Sequence, residues 1–478
     1  MQNSIMRRNY TVVFKSFLSY LPSRIFVILN ALVIVPIFAY FLTTTQMSVF
    51  QISIGILNLV CTASTDWIAK SVLRFYERYK HAGELDNFFS NIMIIEMLAF
   101  TCIFAGYFIF KGIVAQKFYI PENIFLMTLI LVVPCGIRQI FYQLLRILKM
   151  TVLYTVSIII YQISLITLFF AFSHFIENVL SILLAMVISI CIIDCLILYK
   201  LKLKENLTFK FNEKILRNII IYAIPLFFTN ICIWLILHFG KFAFQFNKDF
   251  VNTAIVGTAW FFVTNALTPL FSLLMFAVFP LIVRRFEKKY RVKEFMTAVL
   301  NAYIVMFLPF VCVLSFYSFD IAKIAFKEEY MNLGVLFPFC AITIFVHEFM
   351  KLANMKYHLK NRTYIETIIS FVVAIICVAL NLVLIKHWSI YGFGTAMVSS
   401  IILLFLANSL VKFKYLDYLV PKKHIKCLFM SLLIAIISFL IPFTIFFAFK
   451  NNVTNIIQII LFFTIYVLST FKFKKYIL

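Results

Sequence analysis

Seven ionisable side chains interrupt the apolar runs of this sequence: Arg24, Asp66, Glu96, Arg138, Asp194, Glu348 and Glu366. A charge inside such a run is costly unless it faces a partner, a cavity or a ligand. Arg138 is the sharpest of them. The run CGIRQIFYQLLRILK places Arg138, Tyr142, Arg146 and Lys149 at helical spacing, hence on one face. Guanidinium groups hold phosphate oxygens in a two-pronged way, so a basic ladder of this kind suits a diphosphate. The competing reading is an ion pair of Arg138 with Glu96 or Asp194, and the residues alone weigh the two equally.

Glu96 and Asp194 could instead take up a coupling proton or sodium ion. Arg24 reads as a side chain reaching back to the membrane interface. Asp66, Glu348 and Glu366 stand near the ends of apolar runs, where water would solvate them. His238, Lys241 and Lys248 follow a run at its opposite end. They read as surface residues, or as a rim where Lys241 would meet an anionic ligand. His347-Glu348 is not a zinc motif, because no second histidine follows four residues after the first, and Gly392-Phe393-Gly394 does not extend to a nucleotide-binding loop. No pattern calls for a metal or an organic cofactor. The ten cysteines form no CxxC pair and read as small buried apolar residues, without disulfides.

The elements that position these residues follow from composition. Hydrophobic residues make up 64% of the 478 residues and charged ones 13%, about half the charged share of a soluble domain, roughly 25%. The class is an all-α polytopic membrane protein. With 59 Phe and only 10 Gly, its helices are expected to pack through bulky side chains rather than glycine seams. The net charge of +24 sits in short loops between apolar runs, which speaks for membrane topology and against nucleic acid. Those loops also suit anionic lipid headgroups.

Fourteen spans are expected, at about 20–41, 48–68, 88–110, 124–145, 152–172, 179–199, 219–238, 253–283, 297–317, 333–352, 364–385, 391–411, 428–449 and 456–470. The first follows a basic segment and is expected to stay as an anchor. With the N-terminus inside, inner loops and tails hold 33 of the 43 Lys and Arg and outer loops hold 8. That bias puts both termini in the cytoplasm. Glu96, Arg138 and Asp194 then lie about 8 to 12 Å from the inner surface, at ~1.5 Å per residue. No connection is long enough for a folded domain, which needs ~50 residues. A weak repeat divides the chain: VLRFYERYK from Val72 is echoed by IVRRFEKKY from Ile282, each closing an apolar hairpin. The polar connector 201–215 is the natural boundary between two related halves.

The opening SYLPSRIFVILNALVIVPIFAYFL, the exit DWIAKSVLRFYERYK, the exit QLLRILKMTVLY and the entry KFAFQFNKDFVNTAIVGTAWFF carry a resemblance. The chain resembles the polysaccharide (O-antigen) flippases of the multidrug/oligosaccharidyl-lipid/polysaccharide exporter superfamily. At the entry motif Lys241 stands in place of that family's acidic-basic pair. The resemblance implies two pseudo-symmetric six-helix lobes, 1–200 and 216–412, around a central cavity, with two further helices in 413–478. It implies alternating access that carries undecaprenyl-diphosphate-linked oligosaccharide from the cytoplasmic to the periplasmic leaflet of the inner membrane. No covalent chemistry is implied. The partners would be that lipid and other polysaccharide-assembly proteins, and the protein a monomer. Rival readings are an ion-coupled drug or metabolite antiporter of the same superfamily, which would want an acidic cavity, and a polytopic glycan polymerase, which would want a long outer loop. The topology has a direct check. A cysteine at Lys117 or Lys450 is expected to react with an impermeant thiol reagent from outside, and one at Lys288 not to; the reverse pattern would overturn the orientation.

Overall fold

The computed structural model of the chain describes residues 2–201, 211–287, 292–360, 362–413, 416–417, 421–445 and 452–472. Most of the connector 201–215, residues Lys288 to Tyr290 of the second repeat copy, Lys450 and the tail from 473 onward lie outside the described residues.

In hydrocarbon a chain must satisfy its own backbone N–H and C=O groups, so long apolar runs become helices. The order begins with α1 (Gln2–Phe41) and α2 (Thr44–Cys61). A π-helical turn, Thr62–Asp66, carries α2 without a break into α3 (Trp67–His81). Next come α4 (Leu85–Phe118), α5 (Glu122–Ile147), α6 (Thr151–Ser173), α7 (Asn178–Leu201), α8 (Glu213–Phe246) and α9 (Phe250–Glu287). Then come α10 (Val292–Phe316), α11 (Ser318–Ala325), α12 (Leu333–Ala353), α13 (Met355–Leu359), α14 (Thr363–Leu410), α15 (Pro421–Ile445) and α16 (Asn452–Lys472). No strand occurs among the described residues. Helix starts carry local signals. Thr43 and Gln46 form a reciprocal capping box ahead of α2, and the Asn212 side chain accepts from the N–H groups of Lys214 and Ile215 to open α8.

Twelve helices among the described residues are long and apolar enough to cross a membrane, and Asn455–Thr470 is a shorter apolar one. One of the twelve, α14, has 48 residues, roughly 70 Å at about 1.5 Å per residue, against a hydrocarbon core of ~30 Å. It is two spans. Its backbone leaves helical geometry at Ser389 (φ 48°, ψ −124°), between the expected spans 364–385 and 391–411. With α14 read as two spans and α16 as one, the count is the fourteen expected. Large apolar side chains face outward, as on α4, where Phe108 is 73% exposed. Such a surface suits lipid and not water.

The chain divides into two compact units. The first comprises Met1–Pro36, Thr258–Arg362 and Lys386–Leu478; the second Ile37–Gly257 and Thr363–Ile385. In the first, α10 packs against α11, α12, α15 and α16. Its core is aromatic: Tyr303 is fully buried among Phe271, Phe307, Phe345 and Phe349, and its hydroxyl donates to the carbonyl of Phe345 at 2.9 Å. In the second unit α5 is the central element and packs against α2, α3, α4, α6 and α7. The repeat copies end helices in both units, α3 and α9. In each a lysine lies over the matching ring: Lys80 of the same helix over Tyr76 at 5.8 Å, and Lys360, which follows α13, over Phe286 at 5.7 Å.

The cysteine expectation needs correction. Seven are buried, but Cys102, Cys191 and Cys195 are exposed on helix faces that large apolar side chains also occupy. A thiol is apolar enough to face lipid as readily as core. The break in α14 has a direct test. In a cysteine-free background His387→Cys is expected to react with an impermeant maleimide and the buried Ala374→Cys not to. Protection of both positions would mean that the polypeptide at 387 is not in water.

Candidate functional site

Hydroxyl groups shape the core of the second unit. In the run TASTD, Ser64 Oγ donates to the carbonyl of Val60 at 2.8 Å, Thr62 Oγ1 to Asp66 Oδ2 at 3.2 Å, and just beyond the run Trp67 Nε1 donates to the carbonyl of Ala63 at 2.8 Å. Side chains that bond to the preceding turn compete with the α-helical ladder. Here they accompany the π turn, which inserts one residue and re-aims the helix beyond it. Thr65 is thereby directed at α4, and its Oγ1 donates to Glu96 Oε2 at 3.2 Å. From the other side α5 approaches at Gly136. A Cβ there would lie 2.6 Å from Thr65 Oγ1 and 3.0 Å from the Phe100 ring. Only glycine lets α5 and the π turn meet this closely.

Arg138 lies a half turn beyond Gly136. Its guanidinium sits over the Tyr161 ring of α6, 4.7 Å from the centroid, and its Nη2 is 3.9 Å from Cys135 Sγ. Among the described residues it forms no ion pair with a carboxylate, so neither pairing open in the sequence, with Glu96 or with Asp194, is made. Both acids are nonetheless buried, each 6% exposed, and both keep an oxygen that accepts nothing among the described residues, Glu96 Oε1 and Asp194 Oδ1. Asp194, on α7, is within electrostatic range of Arg138, and Asp66 within range of Glu96. The ladder is shorter than its spacing suggests. Tyr142 packs on Tyr154 at 5.0 Å and Arg146 donates to Gln143 Oε1 at 2.8 Å. Lys149 is not a rung, because α5 ends at Ile147 and Lys149 takes a left-handed conformation (φ 56°) in the exposed turn.

The second unit thus gathers Asp66, Glu96, Arg138, Tyr142, Arg146 and Asp194. The remaining expected residues are distributed over both units. Arg24 is half-buried on α1 in the first unit, and Glu366 half-buried at the start of α14 in the second. Glu348 is not solvated. It is 4% exposed on α12 and pairs with Lys351 at 2.6 Å, with His347 at 4.0 Å. Asp66 is half-buried where the π turn runs on into α3, and it accepts from Thr62. Lys241 is not a surface residue. Helix α8 continues to Phe246, and Lys241 is 3% exposed with Nζ donating to the carbonyl of Gln51 at 2.8 Å. Lys248 is exposed, 5.6 Å from the Tyr119 ring. Sequence reasoning missed Thr65, Gly136 and Tyr161. The hydroxyl run before Asp66 was the available signal for the first.

No protein-family model matches the sequence, and no curated protein matches it. Solved structures do. The lipid II flippase MurJ in an inward closed conformation superposes with a TM-score of 0.69 at 15% identity, over 97% of this chain and 99% of that one. The MATE multidrug transporter DinF-BH, solved as a complex, gives 0.61 at 16% identity, over 86% and 97%. An inward-facing MATE family transporter of the MOP superfamily gives 0.56 at 12%, over 88% and 95%. At such identity the likeness concerns the fold: the chain is an all-helical polytopic membrane protein with the architecture of that superfamily.

The contact of α5 with the π turn can be weighed. Gly136→Ala is expected to destabilise the protein by about 1–3 kcal/mol through overpacking. Removing the facing hydroxyl and methyl with Thr65→Ala should recover a good part of that loss, read as the thermal midpoint of the purified protein. Additive effects of the two substitutions would mean that the helices do not meet at this point.

Proposed function

We propose that the chain is a flippase for a diphosphate-linked lipid oligosaccharide, moving it from the cytoplasmic to the periplasmic leaflet of the inner membrane. The observation that carries this reading is Arg138. An intramembrane guanidinium that contacts a tyrosine ring and a thiol, and pairs with no carboxylate among the described residues, keeps its charge available for phosphate oxygens. Tyr142 and Arg146 continue the same face. The likeness to a lipid II flippase over nearly the whole chain supports a lipid-linked cargo, and the sequence resemblance to O-antigen flippases favours an oligosaccharide repeat unit. No bond of the cargo is made or broken in this reading. Halves 1–200 and 216–412 alternate access, and cationic groups replace water around the headgroup while the lipid tail stays in the bilayer. The protein works as a monomer with both termini in the cytoplasm. Arg24 lines the path, and Glu366 serves as a charge partner.

A second reading rests on Glu96 and Asp194. Two buried carboxyl groups, each with an unpartnered oxygen among the described residues, suit a coupling proton or sodium ion, and in an antiporter would draw a cationic drug. The MATE likeness at 0.61 keeps company with it. In the flippase the same acids would couple transport to an ion gradient.

Leaflet accounting tests the reading. Lipid-linked oligosaccharide is extracted from cells lacking the protein, and its sidedness is probed with an impermeant label on inverted and right-side-out vesicles. Accumulation of complete units on the cytoplasmic face is expected. Arg138→Ala should reproduce that accumulation at unchanged protein level, and Arg138→Lys should restore part of the export. Normal export without the protein would overturn the flippase reading in favour of the antiporter, and accumulation on the outer face would point to a polymerase.

A further inference from the structure

Lys241 presents a problem that the flippase reading does not solve. An ammonium group inside a span is costly unless an opposite charge compensates it. Among the described residues it forms no ion pair with a carboxylate, and its hydrogen-bond partner is a neutral carbonyl, that of Gln51 on α2 at 2.8 Å. One bond leaves two of its three N–H groups unused. The position is built rather than accidental. Gly55, one helical turn beyond Gln51, is the residue that the lysine lies across: a Cβ there would come within 2.8 Å of its Cε and 2.9 Å of its Nζ. The ring of Phe242 closes the same spot, its Cζ 2.8 Å from that Cβ position.

Two further donors belong to residues that touch this arrangement: Gln51 through its carbonyl and Trp234 through the ring of Phe242. Gln51 is 1% exposed and its Nε2 is buried with no acceptor among the described residues. Trp234 is 7% exposed, its Nε1 is equally without an acceptor, and its ring packs on Phe242 at 5.3 Å. Buried donors are nearly always satisfied, by protein, by water or by an ion. Water would satisfy the two neutral donors and leave the ammonium uncompensated. An anion supplies both an acceptor and the missing charge.

We propose that Lys241, with the side-chain N–H groups of Gln51 and Trp234, binds a small monovalent anion, of which chloride is the ordinary cellular example. Gly55 and Phe242 close in on the ammonium group, which argues for a small anion over a diphosphate. The site lies wholly within the second unit and stands whether or not the chain moves lipid-linked sugar.

Trp234 supplies the readout. In the full-length protein with Trp67→Phe, Trp260→Phe and Trp388→Phe, iodide is titrated against gluconate at constant ionic strength. The Trp234 fluorescence is expected to be quenched saturably, and chloride should compete the quenching away. Lys248→Met, at an exposed lysine, should leave the titration unchanged, and Lys241→Met should weaken iodide by roughly tenfold or more, a loss of about 1.4 kcal/mol. Linear, non-saturating quenching in the protein with Lys241 intact would overturn the proposal without reference to any lysine variant. So would saturable quenching that survives Lys241→Met at the same affinity, or that gluconate and chloride compete equally.

Discussion

A backbone carbonyl that its own helix leaves unbonded must find a donor elsewhere when hydrocarbon surrounds it. Much of the polar content of this chain answers that demand. At the end of α1 the carbonyl of Phe41 accepts from Asn178 Nδ2 at 3.1 Å, and at the end of α4 that of Phe118 accepts from Gln245 Nε2 at 2.6 Å. In the first unit the end of α14 is held by Lys356, whose Nζ donates to the carbonyls of Asn408 and Val411 at 2.6 Å each. On α8 the carbonyl of Pro225 takes a bond from Thr367 of α14 at 3.0 Å. Such bonds tie one element to its neighbour, and at the helix ends they also fill an acceptor the helix leaves open, so the amides, hydroxyls and ammonium groups act as directional cross-links in a bundle otherwise held by aromatic packing.

Against that background the groups that make no such link stand out. Arg138 bonds no carbonyl and pairs with no acid among the described residues, and Glu96 and Asp194 each hold back an oxygen. A buried charge that the bundle leaves uncommitted marks a place that a ligand or a moving ion can complete. The hydroxyl-rich π turn belongs to the same pattern, since its threonine commits one oxygen of Glu96 and leaves the other open.

The architecture is legible in the sequence because membrane helices are dictated by local hydropathy. The runs on either side of Ser389 announce two spans, and the helix that formally joins them breaks there. The site is legible only in part. Arg138 announces itself as an intramembrane charge, but its ring partner Tyr161 lies on another helix and nothing in the residues around either could pair them. Lys241 is misplaced by its local context: KFAFQF after His238 carries few aliphatic residues and reads as the end of a span, whereas Phe242, Phe244 and the shielding gap at Gly55 bury the turn. Glu348 reads as solvated because it stands near the end of an apolar run, yet it is buried and paired with the exposed Lys351.

The π turn fixes a phase relation along the polypeptide. Ahead of it α2 faces its neighbours with one set of residues; beyond it Ile68, Val72, Tyr76 and Tyr79 form the buried stripe of α3. At 3.6 residues per turn, removing the additional residue would swing that stripe by about 100°, carrying the charges of KSVLRFYERYK to where the rings now pack. A chain of the same architecture with an unbroken α-helix here must therefore have its apolar stripe offset by one position. The segment 62–66 is a natural place for a one-residue gap when such chains are aligned, and an alignment that forces identity through it would mispair every position of α3.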